Sequence, residues 1–213
     1  MGRRLVLLGP PGAGKGTQAN RLAGLVGVPH IATGDMFRER IAAGDELGQR
    51  VRAIYDKGEL IPDQLTIQLL LDRVSQPDAG CGYVLDGFPR NRHQAEALEE
   101  VVGTHRPQLA LGFELAIEDS VRRISGRRSC GQGHIFHVDF APPRIGGVCD
   151  RCGLPLNQRS DDAEQVVRRR LAVYAEQAEE LWDFYDKDGR LRRLVAAGSM
   201  EEVFQRAVGA LLP

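Results

Sequence analysis

The chain has 213 residues and a formal net charge of −1, with 28 basic side chains against 29 acidic ones, so no global basic field argues for nucleic acid. Hydrophobic residues make up 42% and charged residues 27%, ordinary for a globular protein with one substantial core and small insertions. No apolar run approaches the roughly 20 residues of a membrane span, which excludes a helical membrane protein.

Met1-Gly2-Arg3-Arg4 leads directly into the apolar run Leu5–Leu8, too short for a signal-peptide core, so the expected compartment is the cytoplasm. That run opens into Gly9-Pro10-Pro11-Gly12-Ala13-Gly14-Lys15-Gly16-Thr17, and a helical stretch from Gln18 to Val26 follows. Strand, glycine turn, lysine, hydroxyl and helix form the order of a phosphate-binding loop. Glycines allow a tight turn that points several N–H groups into one concavity, and the helix adds the positive end of its dipole. Lys15 adds a full charge able to reach β- and γ-phosphates. Here the loop reads Gly-Lys-Gly-Thr, so Thr17 takes the hydroxyl role one position later than in the generic Gly-Lys-Ser/Thr. An ordinary strand-to-helix turn is the bland alternative. The spaced glycines and the lysine weigh against it, and a nucleoside triphosphate is the expected ligand.

Short apolar runs alternate with helical periodicity along the rest of the chain, the pattern of an α/β fold. Five parallel strands are expected at Leu5–Leu8, His30–Ala32, Tyr83–Leu85, Leu109–Leu115 and Leu191–Val195, in a three-layer P-loop fold. The longest helix is expected from about Ala163 to Tyr185. Its Val167, Leu171, Tyr174, Ala178, Leu181 and Tyr185 recur at helical spacing, and with Trp182 they read as core. Two segments interrupt the alternation. Residues 33–62 form two short helical stretches broken at Gly44 and Gly58, and residues 128–157 are rich in Gly, Pro and Cys. The expected division is a core of 1–32, 63–127 and 158–213, a helical insertion at 33–62 and a lid at 128–157. Ligands of α/β sheets sit at the carboxyl ends of strands, so excursions leaving from those ends can cover one.

On the acceptor side, Thr33-Gly34-Asp35-Met36-Phe37-Arg38 follows the second strand. Asp86-Gly87-Phe88-Pro89-Arg90 ends the third, with Gln94 one helical turn beyond. Each has a plain reading: Thr33 or Asp35 as a helix cap, Arg38 and Arg90 as solvated charges, Gln94 as a surface residue. Their joint placement after strands, beside a phosphate loop, favours a functional role over these plain readings. Arg38 and Arg90 can clamp a phosphate bidentately, and an amide such as Gln94 can read a purine edge. Asp86 ends an apolar strand where a Walker-B acid stands, and is expected to hold magnesium through water. Asp35, Asp161 and Asp162 are weaker candidates for that role.

These motifs, with Gly126-Arg127-Arg128 and Arg159-Ser160-Asp161-Asp162 followed by Arg170, resemble the adenylate kinase family of nucleoside monophosphate kinases over essentially the whole chain. The 128–157 insertion resembles the lid of the long bacterial form. The resemblance implies reversible transfer of a phosphoryl group from ATP to AMP, giving two ADP, with magnesium. It implies ATP contacts from Gly12, Ala13, Gly14, Lys15, Gly16, Thr17, Arg123, Arg127, Ile135, Phe136 and the backbone near Met200. It implies AMP contacts from Thr33, Arg38, Glu59, Leu60, Ile61, Gly87, Phe88, Pro89, Arg90 and Gln94. Arg159 and Arg170 would bridge toward AMP and the moving phosphoryl group. Lys15, Arg90, Arg123, Arg127, Arg159 and Arg170 are thus the expected catalytic set. Asp161 or Asp162 would pair with arginines to hold the lid closed. Arg122, Arg128, Arg168 and Arg169 are expected to be merely exposed. The resemblance also suggests a cytoplasmic monomer.

Cys130, His134, Cys149 and Cys152 offer three thiolates and an imidazole, a set suited to tetrahedral zinc. Many zinc-bearing relatives begin with Cys-x2-Cys, whereas Gly133 stands at that second cysteine here. His134 is therefore the favoured fourth ligand and His137 the alternative. Such a zinc would be structural, stiffening a segment without a core of its own. Cys81 reads as a small buried residue. Other functional readings are a kinase for UMP or CMP, a zinc-containing nucleic-acid-binding module, and a nucleotide switch without transfer activity.

Overall fold

The computed structural model describes residues 4–103 and 106–212; the Met1-Gly2-Arg3 lead-in lies outside the described residues. Five strands form one parallel sheet. They are β1 (Arg4–Leu8), β2 (His30–Ala32), β3 (Tyr83–Asp86), β4 (Leu109–Glu114) and β7 (Leu191–Val195), in the order β2-β3-β1-β4-β7. Leu5 to Leu8 of the central strand are essentially inaccessible, as expected for a strand covered on both faces. Alternation sends its side chains to two different cores. Val6 and Leu8 join Leu70, Leu98, Leu181 and Tyr185 of α4 (Asp63–Val74), α5 (Arg92–Val102) and α7 (Glu164–Asp186). Leu5 and Leu7 join Ala19, Leu22, Val203 and Ala207 of α1 (Lys15–Val26) and α8 (Met200–Gly209). Helices on both faces of a parallel sheet make the expected three layers.

Two excursions leave the carboxyl edge of this sheet. After β2 come α2 (Thr33–Ala43) and α3 (Glu46–Tyr55), joined through Gly44 and the Asp45 cap, which accepts from Gly48 N at 2.7 Å. This pair builds a small core of its own from Phe37, Val51 and Ile61, flanked by Ile41, Leu47 and Ile54. The second excursion follows α6 (Ile117–Ser125). It opens with a two-stranded antiparallel hairpin, β5 (Arg127–Ser129) and β6 (Ile135–His137), which sequence reading did not anticipate. Three-residue strands are too short to display an alternating pattern. An isolated bridge, Ser129 to Asn157, closes the base of the excursion. Among the described residues, none between 128 and 157 belongs to the apolar cores.

Where the long helix was expected from about Ala163, Ala163 is its N-cap, and the helix runs on to Asp186. Cys81 departs from expectation: it is exposed, in the turn that precedes β3. A lone cysteine before a strand carries no sequence signal that separates turn from core.

Candidate active site

The phosphate loop leaves β1 beside Asp86, the last residue of the neighbouring β3. Gly14, in the left-handed conformation, is the N-cap of α1, and Lys15 is its first residue. A side chain at Gly12 would be strained at φ +85° and would meet Ser120 O at 2.8 Å. Lys15 folds over the loop and donates to Gly9 O at 2.8 Å and Pro10 O at 3.0 Å. Burial draws its pKa down from 10.5 to about 8; Asp86 works against that fall, and Arg90 and Arg170 add to it.

Burial would raise the Asp86 carboxyl, yet His30, Lys15 and Arg90 together hold it below the ordinary carboxylate range. His30 Nε2 lies 3.7 Å from Asp86 Oδ2. Gly16 is the residue that separates this loop from the generic pattern. A Cβ there would stand 3.0 Å from Asp86 Oδ2. The missing side chain lets the carboxylate lie against the first turn of α1, and the hydroxyl moves to Thr17, exposed on the next position.

Facing the loop is a group of arginines. Arg90 donates through Nε to Gly87 O at 2.8 Å, and its own N–H donates to Gln94 Oε1 at 2.8 Å. Thr33, on the first turn of α2, donates to the same Gly87 carbonyl at 2.9 Å. Arg38 donates to Tyr55 OH at 2.7 Å and pairs with Asp35. Arg127 grips Asp162 with Nε at 2.9 Å and Nη2 at 2.5 Å. Arg170 reaches Asp161 Oδ2 at 2.7 Å and the Asp161 carbonyl at 3.0 Å. Asp162 is fully buried and Asp161 nearly so, and each of these acids is paired with an arginine.

These cations sense one another. Burial depresses Arg90, and Arg170 depresses it further. Burial likewise depresses Arg159, with Arg127 and Arg38 adding to it. Six of the expected site cations, Lys15, Arg38, Arg90, Arg127, Arg159 and Arg170, thus surround one region. Like charges gathered this closely cost free energy unless an anion is present. Two of them, Arg38 and Arg159, line a cleft of about 450 Å³ together with Ile41, Tyr55 and Asp161.

The other expected residues have partners or surroundings of their own. Arg123 donates to Ala196 O at 3.1 Å. Glu59 pairs with Arg169 at 2.8 Å, with Leu60 half-buried and Ile61 buried beyond it. Phe88 is buried in the main core and Pro89 beside it. Ile135 is half exposed on the lid hairpin, with Phe136 partly buried. Met200 is exposed at the start of α8, and its carbonyl accepts from Gln18 Nε2 at 2.9 Å and Arg21 Nη1 at 3.3 Å. Arg122, Arg168 and Arg169 are exposed. Arg128 corrects the expectation of exposure: it is partly buried and donates to Ser125 O at 3.1 Å and Arg127 O at 2.8 Å.

Some residues near the cleft carried no sequence signal. Tyr55 holds Arg38, Asp56 Oδ1 accepts from Ser160 Oγ at 2.7 Å across the cleft, and Asp63 holds Gln94. Each reads in sequence as an ordinary helix-end or surface residue.

In the second excursion, one ligand atom each from Cys130, His134, Cys149 and Cys152 lies within 4.8 Å of the others. A tetrahedral zinc with ~2.3 Å sulfur bonds and ~2.0 Å nitrogen bonds has edges of about 3.8 Å between sulfurs and about 3.5 Å from sulfur to nitrogen. Cys152 Sγ to Cys130 Sγ measures 3.6 Å, and His134 Nδ1 stands 3.5 Å from Cys130 Sγ and 3.4 Å from Cys149 Sγ. The donor set therefore fits the ion. Burial pushes the Cys130 thiol up, but the N–H groups of Gln132 and His134 outweigh it and bring it below the ordinary thiol range. His137 is engaged elsewhere: its Nδ1 accepts from Asp139 N at 3.0 Å and Phe140 N at 3.1 Å, and its Nε2 faces Arg122 O at 3.2 Å.

The adenylate kinase family model matches residues 7–190. The chain belongs to the adenylate kinase family. Adenylate kinases of Streptomyces avermitilis and Streptomyces coelicolor are 50% and 49% identical to it over 212 residues, covering 98% of this chain and 96% and 98% of theirs. That of Thermodesulfovibrio yellowstonii is 46% identical over 204 residues, covering 94% and 95%. Such coverage includes both excursions, so the family match is not confined to the phosphate loop. It favours the kinase reading over a zinc-containing nucleic-acid module. No helix among the described residues is long and apolar enough to cross a membrane.

Proposed function

We propose that this chain catalyses the reversible transfer of the terminal phosphoryl group of ATP to AMP, giving two ADP. The observation that carries the reading is the convergence of Lys15 with five arginines from separate elements on one region. Asp35, Asp86, Asp161 and Asp162 offset part of this positive charge, and two nucleotides meeting through their phosphates would supply the rest.

In this reading residues 33–62 are the AMP-binding domain, residues 128–157 the lid, and residues 1–32, 63–127 and 158–213 the core. Lys15 and the N–H groups of Gly12 to Thr17 hold the ATP phosphates. Arg38 and Arg90 clamp the AMP phosphate, while Thr33, Glu59 to Ile61, Gly87 to Pro89 and Gln94 line that site. Arg123 and Arg127 approach ATP, and Ile135, Phe136 and Met200 border its base. Arg159 and Arg170 stand between the nucleotides. Phosphoryl transfer spreads negative charge over equatorial oxygens, so positioning and charge do the chemistry and no strong base is needed. Second phosphate ionisations near pH ~6 leave the acceptor oxygen nucleophilic at neutral pH. Asp86 would hold magnesium through water, and the ion would supply positive charge to offset that of the phosphates. Lid closure excludes water, which competes with AMP as acceptor. The zinc would be structural, since all four positions are protein ligands. A cytoplasmic monomer is the expected state.

An assay with ATP, AMP and magnesium should yield ADP, with CMP and UMP as poorer acceptors; no ADP from a folded protein overturns the reading. Arg90→Ala should raise the KM for AMP about 10–100-fold, the worth of a charge-assisted clamp, and move that for ATP by less than about threefold. Equal effects on both would remove Arg90 from the acceptor site.

The Lys15 pKa predicts an alkaline limb. Free enzyme loses the Lys15 proton above about pH 8, so kcat/KM for ATP should fall there. Bound phosphates hold the proton on, so kcat should stay level to higher pH. A kcat/KM that remains flat to about pH 9.5 would exclude Lys15 as the titrating group.

A further inference from the structure

The Gln94 side chain is 1% exposed, and its carboxamide is held from both ends. Oε1 accepts from the Arg90 N–H at 2.8 Å, and Nε2 donates to Asp63 Oδ1 at 2.6 Å. A primary amide has two donor hydrogens and two acceptor lone pairs. One of each is used here, which leaves one N–H and one lone pair on a group withdrawn from water. Buried polar capacity of that kind calls for a partner.

Amide oxygen and nitrogen are nearly equal in size, so an unrestrained glutamine can turn over and exchange donor for acceptor. Gln94 is prevented from doing so. The Arg90 backbone can only donate, and an ionised Asp63 can only accept. Turning the amide would set N–H against N–H at one end and oxygen against carboxylate at the other. Asp63 is itself anchored. Asn91 Nδ2 lies 3.2 and 3.1 Å from its two oxygens, and His93 Nδ1 lies 2.9 Å from Oδ2. Asn91 also caps α5, accepting from Gln94 N at 2.8 Å, so Asp63, Asn91 and Gln94 form one closed set. Asp63 is the first residue of α4, where the helix dipole favours a negative charge.

We propose that Asp63 determines base specificity at the acceptor site by fixing the sense of the Gln94 amide. The inference rests on the reading of Gln94 as the residue that meets the acceptor base. A 6-aminopurine presents a donor at N6 and an acceptor at N1. A 6-oxopurine presents the reverse, an acceptor at O6 and a donor at N1. An amide free to turn would serve both edges. One locked by Asp63 and the Arg90 N–H serves one, and the phosphate clamp at the other end of the nucleotide keeps the base from turning instead.

The test compares AMP with inosine 5′-monophosphate as ligands of the full-length protein by calorimetric titration. Wild type should prefer AMP. Asp63→Ala should narrow the AMP-to-IMP affinity ratio about tenfold, the worth of one polar contact, with the KM for ATP unchanged within about twofold. Asp63→Glu, which keeps an acceptor-only group, should restore much of the ratio. If Asp63→Ala does not fold, Asp63→Asn replaces it. That isosteric amide can offer either N–H or oxygen to Gln94, so a smaller loss in the same direction is expected. An unchanged ratio in the Asp63 variants with a collapsed ratio in Gln94→Ala would overturn the inference and leave Gln94 as base reader. An unchanged ratio in Gln94→Ala as well would remove the reading on which it rests.

Discussion

Lys15→Met should lower kcat by at least about 10³-fold, the scale on which a single positioned cation acts in phosphoryl transfer. The variant should fold normally. Protonated Lys15 carries a net cost on the order of 3 kcal/mol, burial together with Arg90 and Arg170 outweighing the help of Asp86, from a pKa that falls from 10.5 to about 8. Met removes that cost, and it also removes two hydrogen bonds to Gly9 O and Pro10 O worth about 1 kcal/mol each. The terms nearly cancel, so Tm should move by only a few degrees. The sign of the pH dependence follows from the same shift. Below about pH 8 both folded and unfolded chains hold the proton, and the folded state bears the full cost. Between about 8 and 10.5 the unfolded chain binds more protons, so nucleotide-free stability rises with pH through this window. Wild type should show that rise in thermal melts, and Lys15→Met should lack it. Near wild-type turnover in a folded Lys15→Met protein would contradict the phosphate-loop role.

The second large effect is expected in the lid. Metal analysis should find about one zinc per chain, and Cys149→Ser should lose it. Apart from that cluster residues 128–157 are held by the β5–β6 hairpin and isolated bridges but by no apolar core: among the described residues, Ile135, Val138, Phe140 and Ile145 are all exposed. The segment's ordering therefore depends on the four ligands. Loss of the metal should cost roughly 2–5 kcal/mol, which lowers Tm by on the order of 10 °C in a chain of this size. Turnover should fall less than about tenfold, because no ligand position is open to substrate. A protein purified without chelators that contains no zinc and melts like Cys149→Ser would sink the assignment.

Much of the fold was legible because burial on both faces of a parallel sheet demands uninterrupted apolar strands, and Leu5–Leu8 is such a run. The long α7 was legible from the spacing of Val167, Leu171, Tyr174 and Leu181. The lid hairpin was not, because three-residue strands carry no period and its pairing partners are set by chain closure at Ser129 and Asn157. Cys81 was misread for a related reason: one residue beside a strand says nothing of the turn it occupies. In the site, glycines, Lys15 and the paired arginines stood out by residue type and placement. Tyr55 and Asp63 did not, since a tyrosine near a helix end and an acid in a first helical turn are commonplace.

By itself the amino-acid order determined the five strands of the main sheet, the long α7, the glycine-rich loop with its lysine, and that three cysteines and a histidine share a short insertion. Those are local properties, written in period, glycine placement and ligand spacing. Only the tertiary structure decided that His134 and not His137 joins the thiols, that Asp161 and Asp162 take Arg170 and Arg127, and that Asp63 holds Gln94. Each of these choices joins or separates groups through packing, and the direction in which a side chain points after folding is set by neighbours far away in sequence.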